Sequence, residues 1–310
     1  MTIVTLTMNP AVDVYITVEN ITPSHKLRSK TARRDPGGGG INVARAVRIL
    51  GGEASALFPA GGPTGKLLKS LLDEENIPFR AHEISGMTRE SFTVMETATE
   101  REYRFVLPGP ELNETDWLAC LEMLQNCEPA PRYLVASGSL PPGVPVDFYA
   151  NVARWARKAG VRLVLDTSGS ALQAALEEGV YLIKPNRREL MDLTGRELET
   201  PQDQEQASRD LLEQGNTEVV ALTLGEKGAL LTSAEGSRRI AVPEQEVKSS
   251  VGAGDSFMAG MVLGLVRNLS VEEAFCYASA AGNAALLTPG TELCRREDVE
   301  RLYKQICGER

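Results

Sequence analysis

The chain has a glycine-rich turn late in its sequence, where it reads Val251-Gly252-Ala253-Gly254-Asp255-Ser256-Phe257-Met258-Ala259-Gly260. Gly252 and Gly254 have no Cβ, so the backbone can turn tightly and direct successive N–H groups outward. The stretch from Ser256 to Val266 is rich in Ala, Met, Leu and Val, which predicts that these N–H groups begin a helix. A helix N-terminus has unpaired donors and a partial positive charge, and it therefore favours a phosphate.

Asp255 falls in the first turn of this predicted helix, where a carboxylate is favoured. It would lie beside any anion that the turn binds. An anion site next to a carboxylate base is what phosphoryl transfer to a hydroxyl requires. The alternative is a plain helix cap in a glycine loop, because short glycine patterns often occur without function.

A second glycine run lies early in the chain, where four consecutive glycines, Gly37 to Gly40, precede a predicted helix. Glycines at this point let a ligand approach the backbone closely. Asn42 offers both a donor and an acceptor, as a sugar hydroxyl needs. The run matches G-x-G-x-x-G poorly and no acidic residue follows at the usual distance, so a dinucleotide site is not expected.

Composition excludes several classes of protein. The 310 residues allow one or two domains, and the net charge of −9 argues against a nucleic acid or an anionic membrane as partner. The 2 histidines form no metal-ligand pattern, and the 5 cysteines include no C-x-x-C, which indicates reduced thiols in a cytoplasmic protein. We expect no signal peptide, and no apolar run approaches the ~18 residues of a membrane span.

Strands and helices alternate along most of the chain, and this rhythm predicts a parallel sheet with right-handed crossovers. The first strand is expected over Thr2 to Met8. Asp13 then lies just past the end of that strand, where open α/β sheets place their ligands. Its alternative role is that of a turn aspartate.

Two stretches, at about 12–35 and 87–107, interrupt this rhythm with short strand patterns. They predict a small extra sheet attached to a single domain over 1–310. Two hairpins alone are marginally stable. Pairing with the same sheet of a second subunit would cover its exposed face and edges, and we therefore expect a homodimer.

Asn186 and Glu189 are three residues apart, so a helix would place them on one face. They are predicted to form a capping box at the start of that helix. The alternative is that they face the water shell of a magnesium ion, which often binds proteins indirectly.

The motifs together resemble the ribokinase-like carbohydrate kinase family over nearly the whole chain. They are Gly37–Ala44, Val251–Phe257, and Lys184-Pro185-Asn186 with Glu189. The resemblance implies an α/β fold, a three-layer α/β/α domain with a mostly parallel central sheet and a β lid through which subunits dimerise. Within the family the chain is most similar to the minor bacterial 6-phosphofructokinases, through the four glycines and four further segments: Lys26-Leu27-Arg28, Tyr103–Val106, Ser137–Gly143 and Gly290–Cys294.

The resemblance also implies the role of each group of residues in transfer from ATP. Asp255 takes the proton from the accepting hydroxyl of fructose 6-phosphate, while amides hold the moving phosphoryl group, those of Gly252, Ala253 and Gly254. Other residues bind the sugar hydroxyls, namely Asp13, Gly38, Gly39, Asn42 and Ser139. Arg89 binds the substrate phosphate, with Lys26 or Arg28 from the partner lid.

The nucleotide and ion sites follow from the same resemblance. ATP would be lined by Lys184, Asn186, Thr223, Gly225 and Asn283. Glu189 would organise magnesium. A potassium-type ion would be bound by carbonyls near five residues, namely Ser249, Val251, Ala285, Thr288 and Gly290.

The preferred acceptor has alternatives. The segment Asn9–Asp13 is closer to that of 1-phosphofructokinases and tagatose 6-phosphate kinases. Those relatives commonly have a lysine within the early glycine run, so Gly39 favours 6-phosphofructokinase. An alternative of another class is a non-catalytic sugar-phosphate sensor on the same fold.

Overall fold

The computed structural model describes residues 2–29, 31–241, 243 and 246–308. Lys30, within the predicted lid, lies outside the described residues. In chain order the strands are β1 (Ile3–Leu6), β2 (Ala11–Val18), β3 (Ala32–Gly37), β4 (Ser55–Ala60), β5 (Phe79–Glu83), β6 (Arg89–Glu96), β7 (Arg101–Val106), β8 (Tyr133–Ser137), β9 (Arg162–Asp166), β10 (Val180–Ile183), β11 (Thr217–Thr223), β12 (Ala229–Ser233) and β13 (Gly236–Ile240).

The helices are α1 (Gly39–Ile49), α2 (Gly62–Glu74), α3 (Glu114–Gln125), α4 (Phe148–Ala159), α5 (Gly169–Glu177), α6 (Arg187–Thr194), α7 (Pro201–Glu213), α8 (Ala253–Val266), α9 (Val271–Ala285) and α10 (Arg296–Cys307). Among the helices of the described residues, none combines the length and the apolar composition that a membrane span needs.

The central sheet has the order β13-β12-β11-β10-β9-β8-β1-β4-β5. Its strands are parallel from β5 to β11, and β12 and β13 add an antiparallel edge. Successive side chains enter opposite cores, because Ile3 packs in one buried cluster and Val4 in the other. One cluster includes α1 and α8–α10 and the other α3–α7. The predicted three-layer α/β fold is therefore confirmed.

A separate four-stranded sheet, here called the lid sheet, has the order β3-β2-β6-β7. The pattern within the predicted stretch 12–35 also favours a strand over Leu27 to Asp35, but β3 begins only at Ala32, so the start of that prediction was wrong. The charged segment before Ala32 has no apolar alternation that would hold it in a sheet.

Asp13 lies within β2 of the lid sheet, opposite Asp35 of β3, so the alternative of a turn aspartate was wrong. Val12 and Val14 are buried on either side of it. This alternation directs Asp13 to the opposite face of the strand.

Helix α8 begins at Ala253, within the glycine turn. Gly252 is its N-cap and has φ 72°. Asp255 is consequently in the first turn, as the sequence predicts. Its backbone is thus held at the end of a helix that is buried along most of its length.

Candidate active site

A cleft of about 330 Å³ lies between the lid sheet and the carboxyl ends of the central strands. Ten of the predicted site residues line it: Asp13, Gly38, Gly39, Asn42, Arg89, Ser139, Glu189, Val251, Gly252 and Asp255. It is also lined by residues that the sequence did not single out as a site: Ser91, Arg104, Val106, Ser137, Gly138, Asp166, Thr167 and Ser168.

The start of α8 has unpaired N–H donors, and of its residues Gly252, Ala253 and Gly254 the first lines this cleft. A Cβ on Gly252 would lie 2.6 Å from Leu293 Cδ2, at a positive φ that other residues rarely adopt. Within the described residues, the N–H groups of Gly252 and Gly254 have no hydrogen-bond acceptor, while that of Ala253 points to Ser250 O at 3.4 Å. Two of the three predicted amides are therefore available to an anion.

Asp255 is held at the cleft by one side chain. Asn42 Nδ2 donates to Asp255 Oδ2 at 3.0 Å. Burial raises the pKa of Asp255 to about 6, with Asp166 and Asp13 adding to the effect and Asn42 and Lys184 opposing it. A carboxylate with a pKa near the working pH suits general base catalysis.

Arg89 is fixed on the lid sheet by two backbone carbonyls. Its Nη1 donates to Leu107 O at 3.1 Å and its Nη2 to Asn9 O at 3.0 Å. Its Nε is buried and has no acceptor among the described residues. Burial lowers the pKa of Arg89 while Asp13 opposes this, so the cation is desolvated and suited to an anionic ligand.

Ser139 and Asp13 are further polar side chains of the cleft. Ser139 Oγ accepts a hydrogen bond from Asn9 Nδ2 at 3.2 Å. Burial raises the pKa of Asp13, against the opposing charges of Arg104 and other arginines. Both side chains are polar groups set at the same cavity.

The early glycine run is required by the packing of the chain itself. A Cβ on Gly37 would lie 2.4 Å from the Asp13 carboxyl group, and one on Gly39 would lie 2.2 Å from Ser137 Oγ. The run therefore lets β3 and α1 approach the polar groups of the cleft. Gly38 and Gly39 also face the cavity, so their backbone is accessible to a ligand.

Buried Lys184 forms an ion pair with the partly exposed Asp166, with a distance of 3.2 Å between Nζ and Oδ1. Burial acts to lower the pKa of Lys184, but Asp166, Glu189 and Asp255 raise it above its usual value. The lysine is therefore a fixed positive charge beside the cleft.

The capping box at α6 is confirmed. Glu189 N–H donates to Asn186 Oδ1 at 2.9 Å, and Asn186 N–H donates to Glu189 Oε2 at 2.8 Å. Glu189 also lines the cleft, so the cap places a carboxylate there. The structural interpretation and the magnesium hypothesis are compatible.

Other predicted residues lie outside the cleft. Thr223 N–H donates to Pro185 O at 2.9 Å, which places the end of β11 beside Asn186. Gly225 follows with φ 60°. Asn283 is buried in α9 and donates to Ser279 O. Lys26 and Arg28 are exposed on the segment before β3 and do not line the cleft of their own chain.

The predicted monovalent-cation residues lie on the loop before α8, at the last residue of α9 and on the loop that follows α9. Ser249 Oγ donates to Glu102 Oε2 at 2.8 Å and accepts from Val251 N–H at 3.2 Å. Thr288 Oγ1 donates to Ala285 O at 2.7 Å. Gly290 has a positive φ of 59° next to the ring of Tyr15.

Two of the missed cleft residues had a readable signal. Asp166 is the last residue of β9 and precedes the polar segment Thr167-Ser168, and the carboxyl ends of parallel strands are where ligands bind. Arg104 belongs to the segment Tyr103–Val106 that supported the family resemblance. Only the pairing of β7 with β6 brings it to the cleft.

Comparison with known families identifies the class of protein. The sequence profile of the pfkB family carbohydrate kinases matches residues 3–298. The chain belongs to this family, whose members are phosphotransferases acting on a hydroxyl group.

Its relatives bear out the resemblance. An ATP-dependent 6-phosphofructokinase isozyme 2 from Mycobacterium tuberculosis is 47% identical over 302 residues, covering 97% of this chain and 89% of the relative. A 1-phosphofructokinase from Bacillus subtilis is 34% identical, with 98% of each chain covered.

Solved structures agree with the sequence comparison. Phosphofructokinase-2 from Escherichia coli in complex with substrates and products has a TM-score of 0.95 at 42% identity, covering 99% of this chain and 100% of that one. A ribokinase from Arabidopsis thaliana has a TM-score of 0.78 at 22% identity, covering 98% of both chains, and shares the fold.

Proposed function

We propose that the protein is an ATP-dependent 6-phosphofructokinase, which converts fructose 6-phosphate and ATP to fructose 1,6-bisphosphate and ADP. One observation carries this proposal: Asp255 lies in the first turn of α8, beside the free N–H groups of Gly252 and Gly254, in a cleft that also contains Arg89. The name and 47% identity of the Mycobacterium tuberculosis relative support the choice of acceptor.

Different side chains of the cleft bind different parts of the acceptor. Arg89 pairs with the phosphate ester, for which its buried and unpartnered Nε is suited. Asp13, Asn42 and Ser139, with the backbone of Gly38 and Gly39, bind the sugar hydroxyls. Asp255 then accepts the proton of the attacking hydroxyl.

The amides at the start of α8 stabilise the phosphoryl group during transfer. Negative charge is spread over its three equatorial oxygens in the transition state. The N–H groups of Gly252 and Gly254 lie unpaired at the positive end of a helix, and donors fixed in this way need no reorganisation. That of Ala253 would join them on leaving Ser250 O.

ATP would bind on the side of the cleft that contains Lys184. The lysine charge would face its phosphates, and Asn186, Thr223, Gly225 and Asn283 would line the rest of that site. This requires the nucleotide to extend beyond the cleft of about 330 Å³.

The donor set beside Lys184 fits a magnesium ion. Glu189 and Asp166 line the cleft, and no cluster of three or more His, Cys, Asp or Glu residues is present in the described part of the chain. Magnesium retains several waters and is usually held by one or two carboxylates with substrate phosphates. When bound, it neutralises charge that develops on those phosphates.

Carbonyls of the loop before α8, of the last residue of α9 and of the loop after α9 fit a potassium-type ion. The carbonyls of Ser249, Val251, Thr288 and Gly290 accept no hydrogen bond from the described residues, whereas that of Ala285 accepts from Thr288. Hard cations prefer such oxygen ligands. A cation there would hold the turn that leads into Gly252.

The lid sheet supports a homodimer. Its edge carries an exposed apolar segment in which Phe105 is 54% and Leu107 44% exposed, while Val106 between them lines the cleft. Burying such a segment against the same sheet of a second copy removes it from water. In that dimer Lys26 and Arg28 would reach the phosphate site of the partner.

Turnover of three acceptors side by side tests the proposed function. ADP release is measured with fructose 6-phosphate, fructose 1-phosphate and tagatose 6-phosphate at equal ATP. The proposal predicts the highest kcat/KM for fructose 6-phosphate. A preference for either other sugar would identify the corresponding kinase, as the segment Asn9–Asp13 allows. Binding of a sugar phosphate without any ADP release would indicate a sensor.

A further inference from the structure

Arg45 is a buried arginine that does not line the cleft but connects to its base. It lies on α1 and is 5% exposed. Its Nε and Nη2 donate to both carboxylate oxygens of Glu75, at 2.7 and 2.6 Å. Its Nη1 donates to Pro36 O at 2.9 Å and to Asn42 Oδ1 at 3.2 Å. The guanidinium is thus fixed from three sides.

The contact with Asn42 determines which way its side-chain amide faces. A guanidinium has only donors, so it accepts no hydrogen bond from an amide. Asn42 must therefore direct Oδ1 toward Arg45 and Nδ2 toward Asp255, to which it donates at 3.0 Å. The reversed amide would place an N–H against the guanidinium and an oxygen against the carboxylate.

We propose that Arg45 is a positioning residue for the reaction: it locks the Asn42 amide so that Asp255 receives a donor and stays ionised as the base. Without Arg45, the amide can reverse and accept a hydrogen bond from a protonated Asp255, which favours the form that cannot take a proton. This inference rests on the proposed role of Asp255.

Other charged groups also face Asp255, and they too affect whether its carboxyl group is protonated. Asp166 at the end of β9 and Asp13 on β2 favour the protonated form, while Lys184 after β10 favours the ionised form. Asn42 on α1 is the hydrogen-bond donor to this carboxylate within the described residues. Its orientation is therefore the part of this balance that Arg45 controls.

The test compares the pH dependence of kcat/KM in Arg45→Lys with that of the wild-type enzyme. Lysine keeps the buried positive charge near Asp35 and Glu75, but its single nitrogen cannot span Glu75 and Asn42 as the guanidinium does. We expect the acid limb to move up by about one pH unit, with about a tenfold loss below the limb and recovery at alkaline pH. A merely structural defect would lower kcat equally at every pH.

Two further variants make the result specific. Arg48→Lys changes an exposed arginine of the same helix and should leave the profile unchanged. Asn42→Ala removes the intermediary, so adding Arg45→Lys to Asn42→Ala should cause no further shift of the acid limb. Additive shifts in the double variant would overturn the proposal.

If Arg45→Lys does not fold, Glu75→Gln tests the positioning role of Arg45 instead. Glu75 is partly exposed, with 35% of its side chain accessible, and glutamine keeps one acceptor for Arg45. The acid limb should move in the same direction by less, and an unmoved limb would overturn the proposal. Absence of turnover in the wild type with any sugar phosphate would instead refute the proposed function itself.

Discussion

Burial of Asp255 raises its pKa, which suits a general base but lowers the stability of the fold once the carboxyl group ionises. Its pKa is raised from 3.8 to about 6 in the folded protein, so the folded state binds this proton more tightly than the unfolded state. The sign of the linkage follows: the free energy of unfolding decreases as pH rises from about 4 to about 6, where the folded carboxyl ionises.

Asp255→Asn should therefore reduce turnover and stabilise the fold. We expect kcat to fall by about 10²–10⁴-fold, the usual contribution of a positioned base. Removal of the buried charge should raise the free energy of unfolding at pH 7.5 by about 1–3 kcal/mol. Denaturant titration and ADP-release kinetics measure the two effects. A variant that is less stable than the wild type would show that the carboxylate is not strained by burial.

Arg89→Ala should act on acceptor binding rather than on the chemical step. A charge-assisted hydrogen bond contributes about 1.5–3 kcal/mol, so KM for the sugar phosphate should rise by about 10- to 100-fold while kcat changes little. The matched control is Arg101→Ala, an exposed arginine of the adjacent lid strand that does not line the cleft. Equal KM values for the two variants would remove Arg89 from the phosphate site.

At the scale of elements, the start of α8 depends on Gly252. An alanine there would have to adopt φ near 72° with its Cβ 2.6 Å from Leu293. Gly160 is the matched control, because it has φ 67° at the end of α4 but nothing within 4 Å of its Cβ. Gly160→Ala isolates the backbone cost, about 1 kcal/mol, with normal kcat.

Gly252→Ala should lower both the stability and kcat more than Gly160→Ala does. The additional clash should bring its loss of stability to about 2–3 kcal/mol, and displacement of the amides should lower kcat at least about tenfold. Thermal or denaturant unfolding, with kcat, gives the comparison. Identical behaviour of the two alanine variants would contradict the role given to this turn.

The elements were predictable where a residue pattern has one structural solution. Alternation of strands with helices gave the parallel sheet, and Asn186 with Glu189 gave a capping box that the structure contains. The lid sheet was harder to predict because its strands are short and flanked by charged residues. A turn was the alternative for Asp13, whereas buried Val12 and Val14 hold it in a strand.

The whole molecule decides which residues meet in the cleft. Asp13, Asn42 and Asp255 were predicted individually, and the fold brings all three to one cavity. Asp166 and Arg104 each had a local signal, but only strand order and lid placement bring them to the same cleft. The hydrogen bonds that connect Glu75 through Arg45 to Asn42 could not be predicted for the same reason, since they join the C-cap of α2 to α1.

The proposed lid dimer predicts complementation between two defective subunits. Asp255→Asn lacks the base, and Lys26→Ala lacks the cation that would reach the partner site. A mixed dimer has one site with both groups intact, so co-refolding equal amounts should restore about one quarter of wild-type activity at low fructose 6-phosphate. Activity no higher than the sum of the separate variants would show that the sites are complete within one chain.

In the proposed reaction Asp255, with its pKa raised to about 6, removes the proton of the attacking hydroxyl. The most direct measurement is the pH dependence of kcat/KM for fructose 6-phosphate in the wild-type enzyme and in Asp255→Asn. We predict that wild-type kcat/KM falls about tenfold per pH unit below an apparent pKa of about 6, and that the variant has low activity without this limb. A wild-type profile that stays flat down to pH 5, or a variant that retains the same limb, would contradict the account.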